Sequence, residues 1–266
     1  MAGLGEFVNR WWPPSFLYSG YEAKILSQLD RARLPRHVAV LADGNRRWAR
    51  MNAPGEPLVV GYRAGAAKLL DFVEWCDEAG IQVVTLWVLS TDNLARAAEA
   101  ELAPLLGVIE QLVDDLATRG TWRVRAVGAL DLLPSECADR LQSSAARTAD
   151  AEGMQVNVAV SYGGRHELRD AVRSLLASRL AEGATLEEVA ETLEIDEISE
   201  HLYTSGQPDP DLIIRTSGEQ RLSGFLLWQS AHSEFYFCEA LWPDFRRVDF
   251  VRALRAYTQR ERRFGR

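Results

Sequence analysis

Residues 37–50 read His-Val-Ala-Val-Leu-Ala-Asp-Gly-Asn-Arg-Arg-Trp-Ala-Arg. Val38 to Leu41 make a short apolar run rich in β-formers, which suits a strand buried on both faces. The run stops at Asp43-Gly44-Asn45, strong turn chemistry. Arg46, Arg47 and Arg50 follow, with Trp48 between them. A strand that ends in a carboxylate and a glycine, then opens into a cationic turn, can hold an anion and a metal together. Gly44 lets a ligand approach the backbone. N–H groups at a helix start can face phosphate oxygens. The arginines supply forked, charge-assisted donors, and Asp43 supplies a hard oxygen ligand for Mg²⁺. The same residues also suit an Asx-type turn opening a solvated basic helix, and the stretch alone leaves both readings open.

Outward from this stretch, strands and helices alternate. A helix is expected from about Tyr62 to Ala79, ending at Gly80, after a Pro/Gly-rich loop at 53–61. Strands are expected at 83–89, 122–127, 155–160, 212–215 and 235–238. Helices are expected at 101–118, 135–150, 166–181 and 248–262, with one or two short acidic helices in 187–200. Apolar strands alternating with helices predict an α/β domain, a central mostly parallel sheet covered by helices on both faces. In open sheets of this kind ligands bind beyond the carboxyl ends of the strands. Asp43, the 90–93 stretch and Arg215 all follow strand-like runs there. No dinucleotide Gly-rich fingerprint and no Walker-type Gly-Lys-Ser/Thr is present, which weakens nucleotide-binding readings.

The chain has 266 residues, 30 basic against 38 acidic, for a net charge of −8. That balance argues against nucleic acid as a partner, which needs a basic face, and local arginine clusters in an acidic chain suggest capture of a small anion. Cys76, Cys137 and Cys238 are scattered without metal-ligand spacing and read as reduced cytosolic thiols. No membrane-length apolar run and no cleavable signal is visible, so a cytoplasmic location is expected. No internal repeat or linker divides the chain, which reads as an N-terminal arm (1–34) and one domain (35–266). The arm interleaves Phe7, Trp11, Trp12, Phe16 and Tyr18 with Arg10, Pro13 and Pro14. It suits packing on the body or on a partner subunit. The other reading is an interfacial anchor giving peripheral contact with the inner face of the cell membrane, but a Lys/Arg-rich polar face is lacking.

The 37–50 stretch resembles the first conserved region of the cis-prenyltransferases, the Z-isoprenyl or undecaprenyl diphosphate synthases. Further matches follow in order: Leu-Ser-Thr-Asp-Asn-Leu-Ala-Arg (89–96), Asn-Val-Ala-Val-Ser-Tyr-Gly-Gly-Arg (157–165), and the run from Asp211 to Gln229 containing Ile-Arg-Thr-Ser-Gly-Glu-Gln-Arg-Leu-Ser. Glu-Phe-Tyr-Phe (234–237), Leu-Trp-Pro-Asp-Phe (241–245) and Arg-Glu-Arg-Arg-Phe-Gly (260–265) complete the set. The resemblance covers about residues 35–266.

The resemblance implies a homodimeric, Mg²⁺-dependent enzyme that joins isopentenyl diphosphate to an allylic diphosphate with a Z double bond. Asp43 resembles the metal ligand and essential carboxylate. Gly44, Asn45, Arg46 and Arg47 resemble the loop that cradles the allylic diphosphate, with Trp48 the aromatic beside it. Ser90, Thr91, Asp92, Asn93 and Arg96 match the region shaping the reacting centre. Asn93 stands where the family's proposed proton acceptor lies. An amide is a poor base, so Asn93 reads as an orienter and a diphosphate oxygen as the acceptor. Arg215, Arg221, Leu222 and Ser223 match the isopentenyl diphosphate clamp. Glu234 matches the second metal carboxylate, near the shared site in the family's homodimer. Arg263 and Gly265 match the C-terminal Arg-x-Gly that reaches the partner subunit's substrate.

Departures narrow the expectation. Arg46 stands where long-chain members usually have Gly, Tyr62 replaces a frequent His near the allylic phosphate, and Leu58 stands where an upstream Arg is common. Val88-Leu89 stands where long-chain relatives typically have Ala-Phe, and Leu94 replaces an aromatic. The Arg46-Arg47 pair, Leu94 and the Ser-Gly-Gln-Pro-Asp-Pro-Asp run (205–211) resemble actinobacterial short-chain enzymes that make Z-farnesyl diphosphate, with geranyl diphosphate the expected primer. Two alternatives are a long-chain polyprenyl diphosphate synthase serving cell-wall lipid carriers and a non-catalytic binding subunit of a heteromeric prenyltransferase. Such subunits lose the Asp-Gly-Asn loop, which this chain keeps.

Overall fold

The computed structural model describes residues 29–96, 99–119 and 121–260. Most of the 1–34 arm, Gly120, Arg263 and Gly265 lie outside these residues. Six strands, β1 (His37–Leu41), β2 (Val83–Trp87), β3 (Arg123–Val127), β4 (Gln155–Ala159), β5 (Leu212–Arg215) and β6 (Glu234–Phe237), form one sheet in the order β3-β4-β2-β1-β5-β6. Every pairing is parallel. The helices are α1 (Asn45–Asn52), α2 (Val59–Ala79), α3 (Thr91–Arg96), α4 (Glu99–Thr118), α5 (Ser135–Ala146), α6 (Gly164–Ala181), α7 (Leu186–Thr192), α8 (Ile195–Glu200) and α9 (Arg247–Gln259).

Strand side chains alternate between two cores, as the period of two requires. Val38, Val40, Leu86 and Ile214 enter the larger core with Phe72 and Val73 of α2, Leu116 of α4, Leu141 of α5 and Phe250 of α9. Ala39, Leu41 and Ile213 enter the smaller one with Tyr162, Phe225 and Leu226. Glu167 of α6 bonds the Tyr162 hydroxyl, which fixes α6 to this second face. Both faces of the sheet are covered, as the apolar strands predict.

Among the boundaries that differ from the periodicity, three have a clear local reason. α2 begins at Val59 rather than about Tyr62, since Leu58 follows Pro57 and already has helical angles, and proline pre-sets the first turn. α5 ends at Ala146 rather than 150. The Thr148 hydroxyl donates to the Ala145 carbonyl at 2.8 Å and accepts from Val124 N–H at 2.9 Å, taking the backbone out of the helix. β2 ends at Trp87 rather than 89 because Val88 and Leu89 N–H groups share one acceptor, the Ala159 carbonyl, at 3.1 and 3.4 Å. That shared bond bends Val88 and Leu89 out of the ladder.

His37, the first residue of β1, is buried. Its Nδ1 donates to the Pro208 carbonyl at 2.7 Å and its Nε2 meets the Thr85 hydroxyl at 2.8 Å. Burial lowers its pKa from 6.5 to about 4. The unfolded chain therefore takes up this proton first as pH falls. Its contribution is full above pH 6.5 and is lost as pH falls towards about 4, a loss of about 3 kcal/mol. Urea midpoints measured across this window should fall less steeply in His37→Gln than in the parent. Parallel slopes would remove His37 as a cause.

Candidate active site

The sheet order makes β1 a switch point, because the chain builds outward through β2 on one side and later through β5 on the other. Asp43 follows β1 and Arg215 ends β5. Their side chains meet there, with Arg215 Nη2 3.2 Å from Asp43 Oδ2. The backbone at Asp43 is fixed independently of its carboxylate. Thr216 Oγ1 accepts from Asp43 N–H at 3.0 Å and donates to the Asp43 carbonyl at 2.8 Å, and Trp242 N–H donates to the same carbonyl at 3.0 Å. Gly44 has φ +111°, and a Cβ there would stand 2.9 Å from Leu241 Cδ2, so both conformation and space require glycine.

Two cavities open at this point. The first, of about 390 Å³, is lined by Asp43, Arg46, Arg47 and Arg50 and continues between α2 and α4 along Leu69, Val88, Leu105, Ile109 and Leu112. The second, of about 500 Å³, is lined by Asp43, Ser90, Asp92, Asn93, Arg215, Arg221 and Ser223. Ala42, Asp43, Val88, Leu89 and Asn93 belong to both linings and form the wall between the cavities.

The first cavity combines a cationic part with an apolar part. Arg46 Nε donates to the Tyr62 hydroxyl at 2.9 Å and lies 3.1 Å from Glu101 Oε1. The Tyr62 hydroxyl donates to Glu101, and burial, reinforced by that bond, pushes its pKa up to about 12. Tyr62 therefore remains a neutral donor, and Glu101 ties Arg46 to the start of α4. Arg47 reaches the Ser217 carbonyl at 3.4 Å. Where α2 passes the loop, Gly65 leaves room for the Asn45 amide: a Cβ there would stand 2.4 Å from Asn45 Oδ1.

The second cavity is built around a buried arginine, 5% exposed in its side chain. Arg215 Nη1 donates to Ser223 Oγ at 2.9 Å and to the Arg221 carbonyl. Its Nε, like Nε1 of Trp87 in the same cavity lining, is buried with no hydrogen-bond partner among the described residues. Buried polar groups are normally satisfied, so this wall suits an anionic ligand. Asn93 is held at the turn by its N–H, which donates to Ser90 Oγ at 3.0 Å.

The structure thus gathers Asp43, Gly44, Asn45, Arg46, Arg47, Tyr62, Ser90, Asp92, Asn93, Arg215, Arg221 and Ser223 at one edge of the sheet. Other expected residues lie elsewhere. Trp48 lines neither cavity, because its indole N–H donates to Asp244 Oδ1 at 2.8 Å. Thr91 is buried beside His166, and Leu222 packs on the smaller core. Arg96 closes α3. Glu234 does not join Asp43 within one chain. Its register partner is Leu212, which pairs with Val38 at the opposite end of β1 from Asp43, and its carboxylate is bound by Arg260.

Arg50, the third arginine of the cationic turn, also lines the first cavity; its spacing of three from Arg47 and four from Arg46 puts all three on one helix face. Residues not expected at the site appear on the wall of this cavity as well. Leu105, Val108, Ile109 and Leu112 line it from α4. Their i, i+3, i+4, i+7 spacing shows an apolar face but does not distinguish a core from a cavity wall.

No group of three His, Cys, Asp or Glu side chains among the described residues could hold a metal ion by itself. Asp43, the carboxylate on the wall shared by the two cavities, fits Mg²⁺, which is typically held by one or two carboxylates together with substrate phosphates.

Comparison with known proteins points the same way. A family model described as "putative undecaprenyl diphosphate synthase" matches residues 41–265. The (2Z,6E)-farnesyl diphosphate synthase of Thermobifida fusca is 59% identical over 94% of this chain and 97% of that protein. The protein of the same name from Mycobacterium tuberculosis is 54% identical over 94% of this chain and 96% of its own. Among solved structures, lavandulyl diphosphate synthase from Lavandula x intermedia, in complex with dimethylallyl diphosphate, superposes with a TM-score of 0.80 at 32% identity. That match covers 88% of this chain and 100% of the other.

Proposed function

The chain belongs to the cis-prenyltransferase family, and we propose that it condenses isopentenyl diphosphate with geranyl diphosphate to give (2Z,6E)-farnesyl diphosphate. The names of its actinobacterial relatives support this short-chain, Z-type prenyl transfer. The observation that carries the reading is the shared wall: Asp43 and Asn93 line both cavities, so two diphosphates held on either side bring their reactive ends together there.

In this reading Arg46, Arg47 and Arg50 hold the allylic diphosphate, and its hydrocarbon tail runs between α2 and α4. Arg215, Arg221 and Ser223 hold isopentenyl diphosphate through bidentate, charge-assisted bonds. The allylic C–O bond breaks with loss of diphosphate, the terminal carbon of isopentenyl diphosphate forms the new C–C bond, and a C2 proton leaves. Members of the family are generally Mg²⁺-dependent; held by Asp43, the ion would neutralise the leaving diphosphate. Asn93 orients the isopentenyl unit, and a diphosphate oxygen takes the proton. The apolar lining of the first cavity keeps water from the developing allylic cation.

The same reading takes 35–266 as the catalytic domain of a homodimer. Glu234 faces away from its own Asp43, so it can serve a shared metal site only across subunits, and Arg263 and Gly265 would act there too. The edge strand β6 exposes Phe237, stacked on Phe235 at 6.3 Å, which suits pairing with a second copy. No helix of the described residues is long and apolar enough to cross a membrane. A cytoplasmic enzyme, peripheral at the inner membrane face through its arm, is consistent with this.

Purified protein alone, given radiolabelled isopentenyl diphosphate, geranyl diphosphate and Mg²⁺, should yield a fifteen-carbon product of about one condensation. Products of fifty carbons would establish the long-chain alternative. No product with any allylic primer would establish the binding-subunit alternative.

A further inference from the structure

The Ser161-Tyr162-Gly163-Gly164 turn contributes nothing to either cavity lining, yet it carries the segment that builds the second one. After β5 the chain runs irregularly, with Ser217, Ser223 and Leu226 at φ +74°, +51° and +46°. Left-handed backbone at non-glycine residues is strained and persists only where neighbours hold it. Here the neighbours are the β4–α6 turn and α6. Gly164 N–H donates to the Gly224 carbonyl at 2.8 Å, and a Cβ at Gly164 would stand 2.6 Å from that oxygen. Leu226 N–H donates to the Tyr162 hydroxyl at 3.2 Å. That hydroxyl donates to Glu167, whose other oxygen accepts from Tyr203 N–H and Gln229 Nε2, each at 3.0 Å. Tyr162 and Glu167 are fully buried. Burial beside Glu167 pushes the phenol well above its ordinary range, so its single proton stays on the bond to Glu167 and a lone pair remains for Leu226.

We propose that Tyr162 and Glu167 are positioning residues for isopentenyl diphosphate. The Glu167–Tyr162–Leu226 chain of hydrogen bonds sets the 221–226 turn, and that turn brings Ser223 Oγ and the Arg221 carbonyl onto Arg215. The proposal rests on the reading of the second cavity as the isopentenyl diphosphate site. It is selective because the 221–226 turn contributes nothing to the first cavity.

Tyr162→Phe tests it. The ring keeps its edge contacts with Trp87, Phe225 and Tyr203, while the acceptor for Leu226 N–H is lost. The KM for isopentenyl diphosphate should rise about tenfold, the scale of one good hydrogen bond, with kcat and the KM for geranyl diphosphate within about twofold. A merely structural role would lower Tm and leave both KM values unchanged, which overturns the proposal. Glu167→Gln should shift the same KM in the same direction, and it carries the test if Tyr162→Phe does not fold; an unchanged KM there overturns the proposal equally. Arg221→Ala separates the two levels. If it leaves the isopentenyl diphosphate KM unchanged, the cavity assignment and the proposal fall together. If it raises that KM while Tyr162→Phe does not, only the positioning role falls.

Discussion

Replacing Asp43 by alanine should lower kcat by roughly a thousandfold while leaving the fold intact. The carboxylate lines both cavities and is the acidic group at their junction that suits Mg²⁺. Losing it removes leaving-group stabilisation worth several kcal/mol, and about 1.4 kcal/mol is tenfold in rate. The fold should survive because the Thr216 hydroxyl and Trp242 N–H hold the Asp43 backbone, not its side chain. The partner left behind, Arg215, keeps its bonds to Ser223 and the Arg221 carbonyl, so thermal denaturation should be nearly unchanged. Steady-state turnover with both substrates at saturation, across a Mg²⁺ titration, measures the effect. Near-wild-type turnover in the folded variant would falsify the metal assignment.

Val88→Ala should lengthen the product. Val88 lines both cavities, and the bend made by the shared Ala159 carbonyl turns it out of the strand ladder. A growing tail must pass it to go deeper between α2 and α4. Valine adds two methyl carbons over alanine, and overpacking a tight apolar channel typically costs about 1–3 kcal/mol. That cost recurs at every condensation, so it weighs on the choice between release and another round. With the same primer, chromatography should show a shift from fifteen carbons to longer chains. The rival determinant is the α4 face of Leu105, Val108, Ile109 and Leu112, which lines the same cavity. An unchanged product from a variant of unchanged stability would assign chain length to that face instead.

The two halves of the first cavity were legible to different degrees. The Arg46-Arg47 pair beside Asp43-Gly44 marked a candidate anion site beside the reading of a solvated basic turn, because charge and turn chemistry are local properties of neighbouring residues. The wall supplied by α4 did not declare itself, because an apolar helical face has the same spacing whether it meets a neighbour or an empty channel. Trp48 shows the opposite failure: adjacent in sequence to the cationic turn, it points to Asp244 because the helix rotates it off the face carrying Arg47 and Arg50.

The sequence by itself determined the parallel α/β architecture, since each strand is an apolar run bounded by turn chemistry and the strands alternate with amphipathic helices. It also placed the candidate site residues at the carboxyl edge, since Asp43, Asn93 and Arg215 lie at or just after strand ends and such ends open on one side of a parallel sheet. Only the tertiary structure decided which of these residues meet. Asp43 and Arg215 are far apart in the chain and touch because β1 and β5 are neighbours in the sheet. Glu234, equally remote, stays away because parallel register sets it against Leu212, at the far end of β5 from Arg215. Strand order and register arise from long-range pairing and from burial of both sheet faces, and local composition does not encode which of several similar apolar strands will be adjacent.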